Sequence, residues 1–500
     1  SWVLLTPNYA YKIKKAVDLG FLDFSALEKR EYFCREELRL NRRLAPRYYM
    51  DVVSITGTCD QPALSAPGTA FEFALKMRRF PPYQLLSAYS QGDAGHADSP
   101  ALFSTLAKLI ADFHGDAGHA AATTTFGDPE TVAGPANDNI ESLRSQIKSA
   151  SLRARLTAIK DWQAAWLHHN HDRITRRKHD GWIREGHGDL HFGNIAVTQQ
   201  ELIVFDCLEF DPALRWIDVC CDYSFLIMDC WHRGRRADAA IFLDRYFEHT
   251  GDYEGAALLK FYVAYRALVR AKISAIRATQ TREEAGWQES YRYIALADHV
   301  IHAKQPVLIL TCGVSGSGKS FLSKQLIAAL SAPRVRSDVE RKRLFVTAVK
   351  SASPSTDNIN LYSREMTERT YERLRDCARH ILMGGLSVII DATFLQQSYR
   401  QQFHDLARTA GVSFVILHTT ATLGILEKRI RERQARNDDP SDADLEVLSH
   451  QLANWEPFTA VEQSCAIEIN TDGAFDVAAI VSQIEGYKKT ATSPTRPPTL

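Results

Sequence analysis

No stretch of this 500-residue chain reaches the roughly 18 consecutive apolar residues of a membrane-spanning helix, so none is expected. Charge of one sign is missing too. The 60 Lys and Arg offset 60 Asp and Glu, for a formal net charge of 0. That removes the basic excess of a general nucleic-acid binder, a local patch aside. Cysteine is sparse: nine residues, none in C-x-x-C spacing, with Cys220 and Cys221 adjacent and too close for an ordinary disulfide. Buried, inert thiols in a reducing cytoplasm fit that pattern. A metal-ligand pattern is also lacking, since His168, His169 and His171 sit at a charged helix end with nothing to supply further ligands. Ser1-Trp2-Val3-Leu4-Leu5 has neither a basic n-region nor a cleavage site, so no signal peptide is expected. These residues read as the inside of a strand, and a block of residues is expected upstream.

What is present centres on Gly313-Val314-Ser315-Gly316-Ser317-Gly318-Lys319-Ser320, which fits G-x-x-x-x-G-K-[ST]. An apolar run, 306–312, precedes it and reads as a buried parallel strand; 321–330 follows with helical spacing. That strand–loop–helix context turns successive backbone N–H groups inward at a helix N-terminus, a cradle for phosphate oxygens. Lys319 is expected to reach the outer phosphates and Ser320 to hold Mg²⁺. Downstream, Asp338 follows a short strand, at the edge of an open α/β sheet where ligands bind, or else caps a helix. The run 386–391 ends in Asp391, a carboxylate placed like that of a Walker B strand, and 414–417 reads as a third strand. Residues 367–382 read as a helix, and the Ser/Pro-rich 350–358 as a loop of the substrate-flap kind. Arg429, Arg433 and Arg436 share one helix face ahead of a 437–442 turn, either solvated or closing over phosphates.

The first 300 residues open with a hairpin, 3–6 and 9–15, turning at Pro7-Asn8. A helix is expected over 25–44, capped by Ser25 with Glu28 as its capping-box partner. Glu37 shares the stripe of Phe33, Leu40 and Leu44; Lys14 or Lys12, on one face of the preceding strand, or a neighbouring Arg, is its expected partner. Residues 70–77 read as a strand, 101–114 and 140–171 as helical, and 91–100 and 115–139 as loops. Helices fill 238–303, where Tyr262, Tyr265, Arg266 and Arg270 read as a buried seam or a substrate face.

Between them lies His187-Gly188-Asp189-Leu190-His191-Phe192-Gly193-Asn194, with Asp206 twelve residues beyond Asn194 at the end of a strand. One Asp to orient an attacking hydroxyl, with an Asn and a second Asp to hold Mg²⁺, is what a kinase catalytic loop needs. The spacing matches H-R-D-L-x-x-x-N, with Gly188 in place of Arg. His187 and His191 are read as orienting the loop by hydrogen bonds.

This loop resembles that of aminoglycoside phosphotransferases and related small-molecule kinases. The resemblance implies that Asp189 is the catalytic base and that Asn194 and Asp206 ligate Mg²⁺. It implies that Lys14 and Glu37 position ATP, with Lys12 and Glu36 as alternates. Residues 75–77, Met77 included, would form the hinge along the adenine, and Asp218 would brace the loop. Cys207-Leu208-Glu209 after Asp206, where protein kinases have Phe-Gly, departs from the pattern, and no Gly-rich loop precedes Lys14. Residues 306–487 resemble the P-loop branch holding polynucleotide, gluconate and adenylylsulfate kinases, which makes Asp338 a substrate-side acid and Arg429 and Arg433 a lid. Both halves in one chain resemble a bacterial family described as bifunctional aminoglycoside-phosphotransferase-like and ATP-binding proteins. The expected architecture is therefore an α+β protein-kinase-like domain at 1–304, an α/β P-loop kinase domain with a mostly parallel sheet at 305–488, and a disordered tail at 489–500. The expected chemistry is transfer of the γ-phosphoryl group of Mg²⁺–ATP to a hydroxyl of a small molecule. No clear acidic cluster lies in 229–300, so a sugar-like metabolite fits at least as well as an aminoglycoside. The alternatives are a P-loop half that phosphorylates nucleic-acid ends, or one that senses nucleotide for the first half.

Overall fold

The computed structural model describes all residues except 19, 21, 81–84, 89–98, 199–200, 304–305, 352–360, 362, 437–443 and 491–500. The 91–100 loop up to residue 98, the flap from 352, the 437–442 turn, the side chain of Arg436 and the tail from 491 lie outside the described residues. The chain forms two compact units, each discontinuous in sequence. Unit 1 is Ser1–Asp98, Leu109–Arg233 and Phe261–Ile301; unit 2 is Ser99–Lys108, Gly234–Lys260 and His302–Leu500. A single cut at 304 was expected, yet two earlier segments also fall in unit 2.

Unit 1 opens with β1 (Trp2–Leu5), β2 (Tyr9–Ile13), α1 (Leu27–Asn41), β3 (Tyr49–Gly57), β4 (Pro62–Leu64) and β5 (Glu72–Arg78). The strands make an antiparallel sheet in the order β1-β2-β5-β3-β4, with α1 packed on β5 and β3. The expected hairpin is β1–β2. Side chains alternate along a strand, so Lys12 and Lys14 share one face of β2. The helix starts at Leu27 rather than at 25, because the Ser25 hydroxyl bonds Asp23 (2.6 Å) instead of capping, and Ala26 stands at the N-cap.

Next come α2 (Ser99–Asp116), whose residues up to Lys108 fall in unit 2, α3 (Pro129–Gln146) and α4 (Ala150–His179). The helix α3 replaces much of a stretch read as loop. Pro129 stands at its first turn, where its missing N–H costs nothing, and Ala136, Ile140 and Leu143 bury one stripe. Two short antiparallel pairs follow, β6 (Ile183–Glu185) with β9 (Trp216–Asp218), and β7 (Ile195–Val197) with β8 (Leu202–Val204). The loop 186–194 and Asp206 hang from these strands. The helices α5 (Val219–His232), α6 (Arg236–Thr250), α7 (Leu259–Thr281) and α8 (Glu284–Ile301) come next, with α6 in unit 2. Residues Val219–Cys230 of α5 are buried all round, so its acids need partners inside the protein.

The rest of unit 2 runs β10 (Val307–Cys312), α9 (Lys319–Leu330), β11 (Arg334–Arg336), α10 (Ser337–Ser351), α11 (Arg364–Met383), β12 (Val388–Asp391), α12 (Gln397–Ala410), β13 (Ser413–Thr420), α13 (Leu423–Arg436), α14 (Leu445–Ala453), α15 (Ala460–Gln463), β14 (Ala466–Asn470) and α16 (Val477–Thr490). The sheet is parallel throughout, in the order β11-β12-β10-β13-β14. Every residue of β10 and β12 is buried, as a sheet covered on both faces requires. Ile309, Leu322, Leu326, Ile389, Val415 and Leu417 form its core, so the P-loop springs from the C-terminal end of a central strand.

Candidate active sites in the two units

In unit 2 the P-loop joins β10 to α9. Gly313, Gly316 and Gly318 have φ of 141°, 82° and 87°, in the left-handed region. A Cβ at Gly313 would come within 2.5 Å of the Thr419 carbonyl, and one at Gly316 within 2.9 Å of that of Leu426. Glycine there is thus a steric demand as well as a conformational one. The loop is tied down from behind. Ser317 Oγ lies 2.8 Å from Thr419 Oγ1, and the Thr471 hydroxyl donates to the Ser317 carbonyl (3.0 Å). Arg429 donates to the Gly316 carbonyl (3.2 Å), to Thr471 Oγ1 (2.9 Å) and to the Thr471 carbonyl. The structure therefore sets Arg429 against the loop backbone. Lys319 Nζ donates to the Val314 carbonyl (2.7 Å), and the Ser315 N–H donates to Gln451 Oε1 (2.7 Å).

In front of the loop lies a cavity of about 300 Å³. Ser315, Gly316, Gly318, Lys319, Ser320, Asp338, Asp391, Arg429, Arg433 and Gln451 line it, with Tyr371 and Arg341 among their neighbours. Asp338 is in the first turn of α10, and Asp391, at the end of β12, accepts from Ser323 Oγ (3.0 Å). Burial pushes the Lys319 ammonium down from its ordinary pKa, against the Asp391 and Asp338 carboxylates. The cavity thus joins the expected cradle, both expected carboxylates and both expected arginines in one place.

In unit 1, Lys14 is buried and pairs with Glu37 Oε2 (2.7 Å) and with Glu209. Lys12 is the more exposed of the two, and its ammonium bridges Glu37 Oε1 and Asp206 Oδ1, each at 2.7 Å. Burial would push Glu37 up, but Lys12 and Lys14 hold it below the usual range. Burial and the Glu37 charge push Glu209 up. Asp206 has φ of 65°, which an Asp tolerates better than most residues, and its N–H donates to the Tyr49 hydroxyl (3.1 Å). Asn194 Nδ2 donates to the Asp189 carbonyl (2.9 Å) and to Asp189 Oδ2 (3.0 Å). His191 Nε2 lies 3.4 Å from that same carboxylate oxygen, and Arg270 lies 3.4 Å from His191. Burial pushes Asp189 up, the His191 hydrogen bond and charge outweigh it, and the group settles at about 2. Asp189 is thus ionised at neutral pH. Met77 is the penultimate residue of β5, opposite Ala10 and Tyr49, and packs in one cluster with Leu75 and Phe205.

The brace of the 186–194 loop is Asp222, not Asp218. Asp222 is fully buried and accepts from the N–H groups of His187 (2.7 Å) and Gly188 (2.8 Å), with His114 Nε2 at 3.1 Å. Asp218 is occupied elsewhere: it caps α5 through the Cys220 N–H and pairs with Arg177 at 2.7 and 2.9 Å. Asp229 takes the Phe192 N–H (3.0 Å). Spacing alone assigns no role to Asp222, Glu209 or Gln451. Two lysines on one strand face need more than one carboxylate, a signal for Glu209. Gln451 had none.

Residues 308–458 match the family described as AAA domain. An uncharacterized protein of Mycobacterium tuberculosis is 30% identical over 454 residues, which cover 91% of this chain and 89% of that one. The same figures hold for an uncharacterized protein of Mycobacterium bovis. Among solved structures, a putative kinase from Chloroflexus aurantiacus shares 23% identity, with a TM-score of 0.31, over 38% of this chain and 100% of that one. A gluconokinase from Sinorhizobium meliloti shares 21%, with a TM-score of 0.26, over 37% and 94%.

Proposed function

The chain belongs to one family with these mycobacterial proteins, and on that premise we propose that it is an ATP-dependent phosphotransferase acting on a hydroxyl of a small molecule. The observation that carries the reading is the unit 2 cavity, where the phosphate cradle, Lys319, Ser320, Asp338 and Asp391 meet. Phosphoryl transfer asks mainly for positioning and charge neutralisation, and these groups supply both. The loop N–H groups and Lys319 hold the phosphates, and Arg433, which lines the same cavity, adds positive charge. Asp338 orients the acceptor hydroxyl and takes its proton.

Unit 1 is read as a second phosphoryl-transfer centre of the aminoglycoside-phosphotransferase-like kind. Asp189, held ionised at about 2, is the base that orients the acceptor hydroxyl. Lys12, which bridges Glu37 and Asp206, is the lysine placed to meet phosphate, while the buried Lys14 fastens α1 to the Glu209 segment. Mg²⁺ suits both donor sets. Among the described residues no group of three or more His, Cys, Asp and Glu could cage a metal ion, and Mg²⁺ is commonly held by one or two carboxylates plus substrate phosphates. Asp391 and Ser320 would hold it in unit 2, Asp206 and Asn194 in unit 1, and when bound it neutralises phosphate charge. The acceptor class we favour is a sugar-like polyol. No helix among the described residues is long and apolar enough to cross a membrane, and nine free thiols support a reducing cytoplasm.

Calorimetric titration of the full chain with Mg²⁺–ADP tests this. Two sites per chain are expected, one lost in Lys319→Ala and the other weakened in Lys12→Met. A binding isotherm that neither substitution changes would overturn it.

A further inference from the structure

The phosphate cradle of unit 2 already holds an oxygen of its own chain. The acceptor of the Ser315 N–H is the side-chain oxygen of Gln451, at 2.7 Å. That side chain is held in place by its helix. In α14, Asp444 caps the first turn by accepting from the Val447 N–H (2.8 Å). Leu448 packs against Leu426 and Ile430 of α13, with Val314 of the P-loop on the same cluster. Val447 and Gln451, one helical turn apart, both face the cavity. Lys319 is likewise engaged within the chain, on the Val314 carbonyl. Two of the groups expected to bind phosphate are thus satisfied before nucleotide arrives.

A carboxamide oxygen is neutral, whereas a phosphate oxygen carries charge and accepts hydrogen bonds roughly twice as strong. The phosphate therefore wins the Ser315 N–H, at the cost of the bond to Gln451. We propose that Gln451 is a resident competitor for the phosphate position at Ser315, so that nucleotide enters as Gln451 lets go and α14 loosens when the cradle fills. Gln451 sets the nucleotide affinity of unit 2 and keeps the empty cradle satisfied. The inference rests on the P-loop reading of unit 2.

The test uses the full chain and Mg²⁺–ADP, which binds without turnover, and reads the Lys319-dependent component of binding by calorimetry. Gln451→Met keeps the side chain's length and removes the acceptor; Gln451→Ala removes the side chain. Losing one competing hydrogen bond should tighten ADP by about 2- to 12-fold in both variants. Gln451→Glu should weaken it, more so as pH rises through the carboxylate range. In the wild type, hydrogen exchange of the α14 amides should speed up on adding ADP. Equal or weaker ADP binding in Gln451→Met and Gln451→Ala, or slower exchange in α14, would overturn the proposal while leaving the P-loop reading intact. ADP binding that Lys319→Ala does not change would remove both.

Discussion

Replacing Asp222 with Ala strips one buried carboxylate from three donors at once. The His187 and Gly188 N–H groups, at 2.7 and 2.8 Å, are buried with it, and His114 loses its partner at 3.1 Å. A buried donor left without an acceptor costs about 1–3 kcal/mol, so the two backbone groups together put the loss near 4 kcal/mol. Asp222→Asn should cost about half of that, because an amide oxygen serves one of the N–H groups while its NH₂ opposes the other. Burial pushes the Asp222 carboxyl up, but the His114 hydrogen bond and charge, with His187, hold it well below the usual range. The sign follows. A depressed folded-state pKa gives stability that is present above the unfolded value near 4 and is lost as pH falls below it. Asp222→Asn should therefore flatten the acid limb of the stability curve of unit 1. The assay is denaturant unfolding at pH 7 and at steps down to pH 3, followed by the transition belonging to unit 1. Phosphoryl transfer at the proposed Asp189 centre should fall about 100-fold as the loop loses its anchor, with nucleotide binding little changed. A loss under about 1 kcal/mol, with that activity intact, would refute the assignment of Asp222 as the brace.

Lys14→Met should destabilise unit 1 by about 3–5 kcal/mol, since it leaves Glu209 buried without a cation and Glu37 with Lys12 alone, whereas Lys12→Met should cost about 1 kcal/mol and instead weaken nucleotide binding about tenfold; unfolding and titration of the two variants side by side separate the roles. Asp244, buried beside Arg334 in unit 2, is raised by burial from 3.8 to about 6 despite accepting from the Arg334 N–H at 2.8 Å. Its folded form holds the proton more tightly, so unit 2 should lose up to about 3 kcal/mol as pH rises from 4 to 6, and Asp244→Asn, which keeps the acceptor, should abolish that slope in pH-dependent unfolding. Arg429→Ala removes three hydrogen bonds that hold Gly316 and Thr471, and should raise the ADP dissociation constant about tenfold by calorimetry.

The P-loop unit was legible because its chemistry lies in one short run flanked by a strand and a helix whose patterns are local. The parallel sheet followed from buried runs such as Val307–Cys312, although β14 went unread, since Ala466–Asn470 alternates apolar and polar over only five residues. The helix α3 was hidden because Gly134 and Pro135 interrupt its stripe. Which of two acids one turn apart faces a loop, Asp218 or Asp222, depends on tertiary packing that spacing does not carry. The same holds for Lys12 and Lys14, two residues apart on one face of one strand. The helix α6 reads like its neighbours, yet it packs against α9 and β11 in unit 2, and its Asp244 and Glu248 meet Arg334 and Arg336 some ninety residues later.

The most direct test of phosphotransferase activity is transfer from γ-labelled ATP into a pool of hydroxyl-bearing metabolites, read by mass spectrometry for the wild type beside Asp189→Ala and Lys319→Ala. A phosphorylated product is expected whose formation is lost in at least one of the two variants. No product from any pool, or a product formed equally by all three proteins, would contradict it.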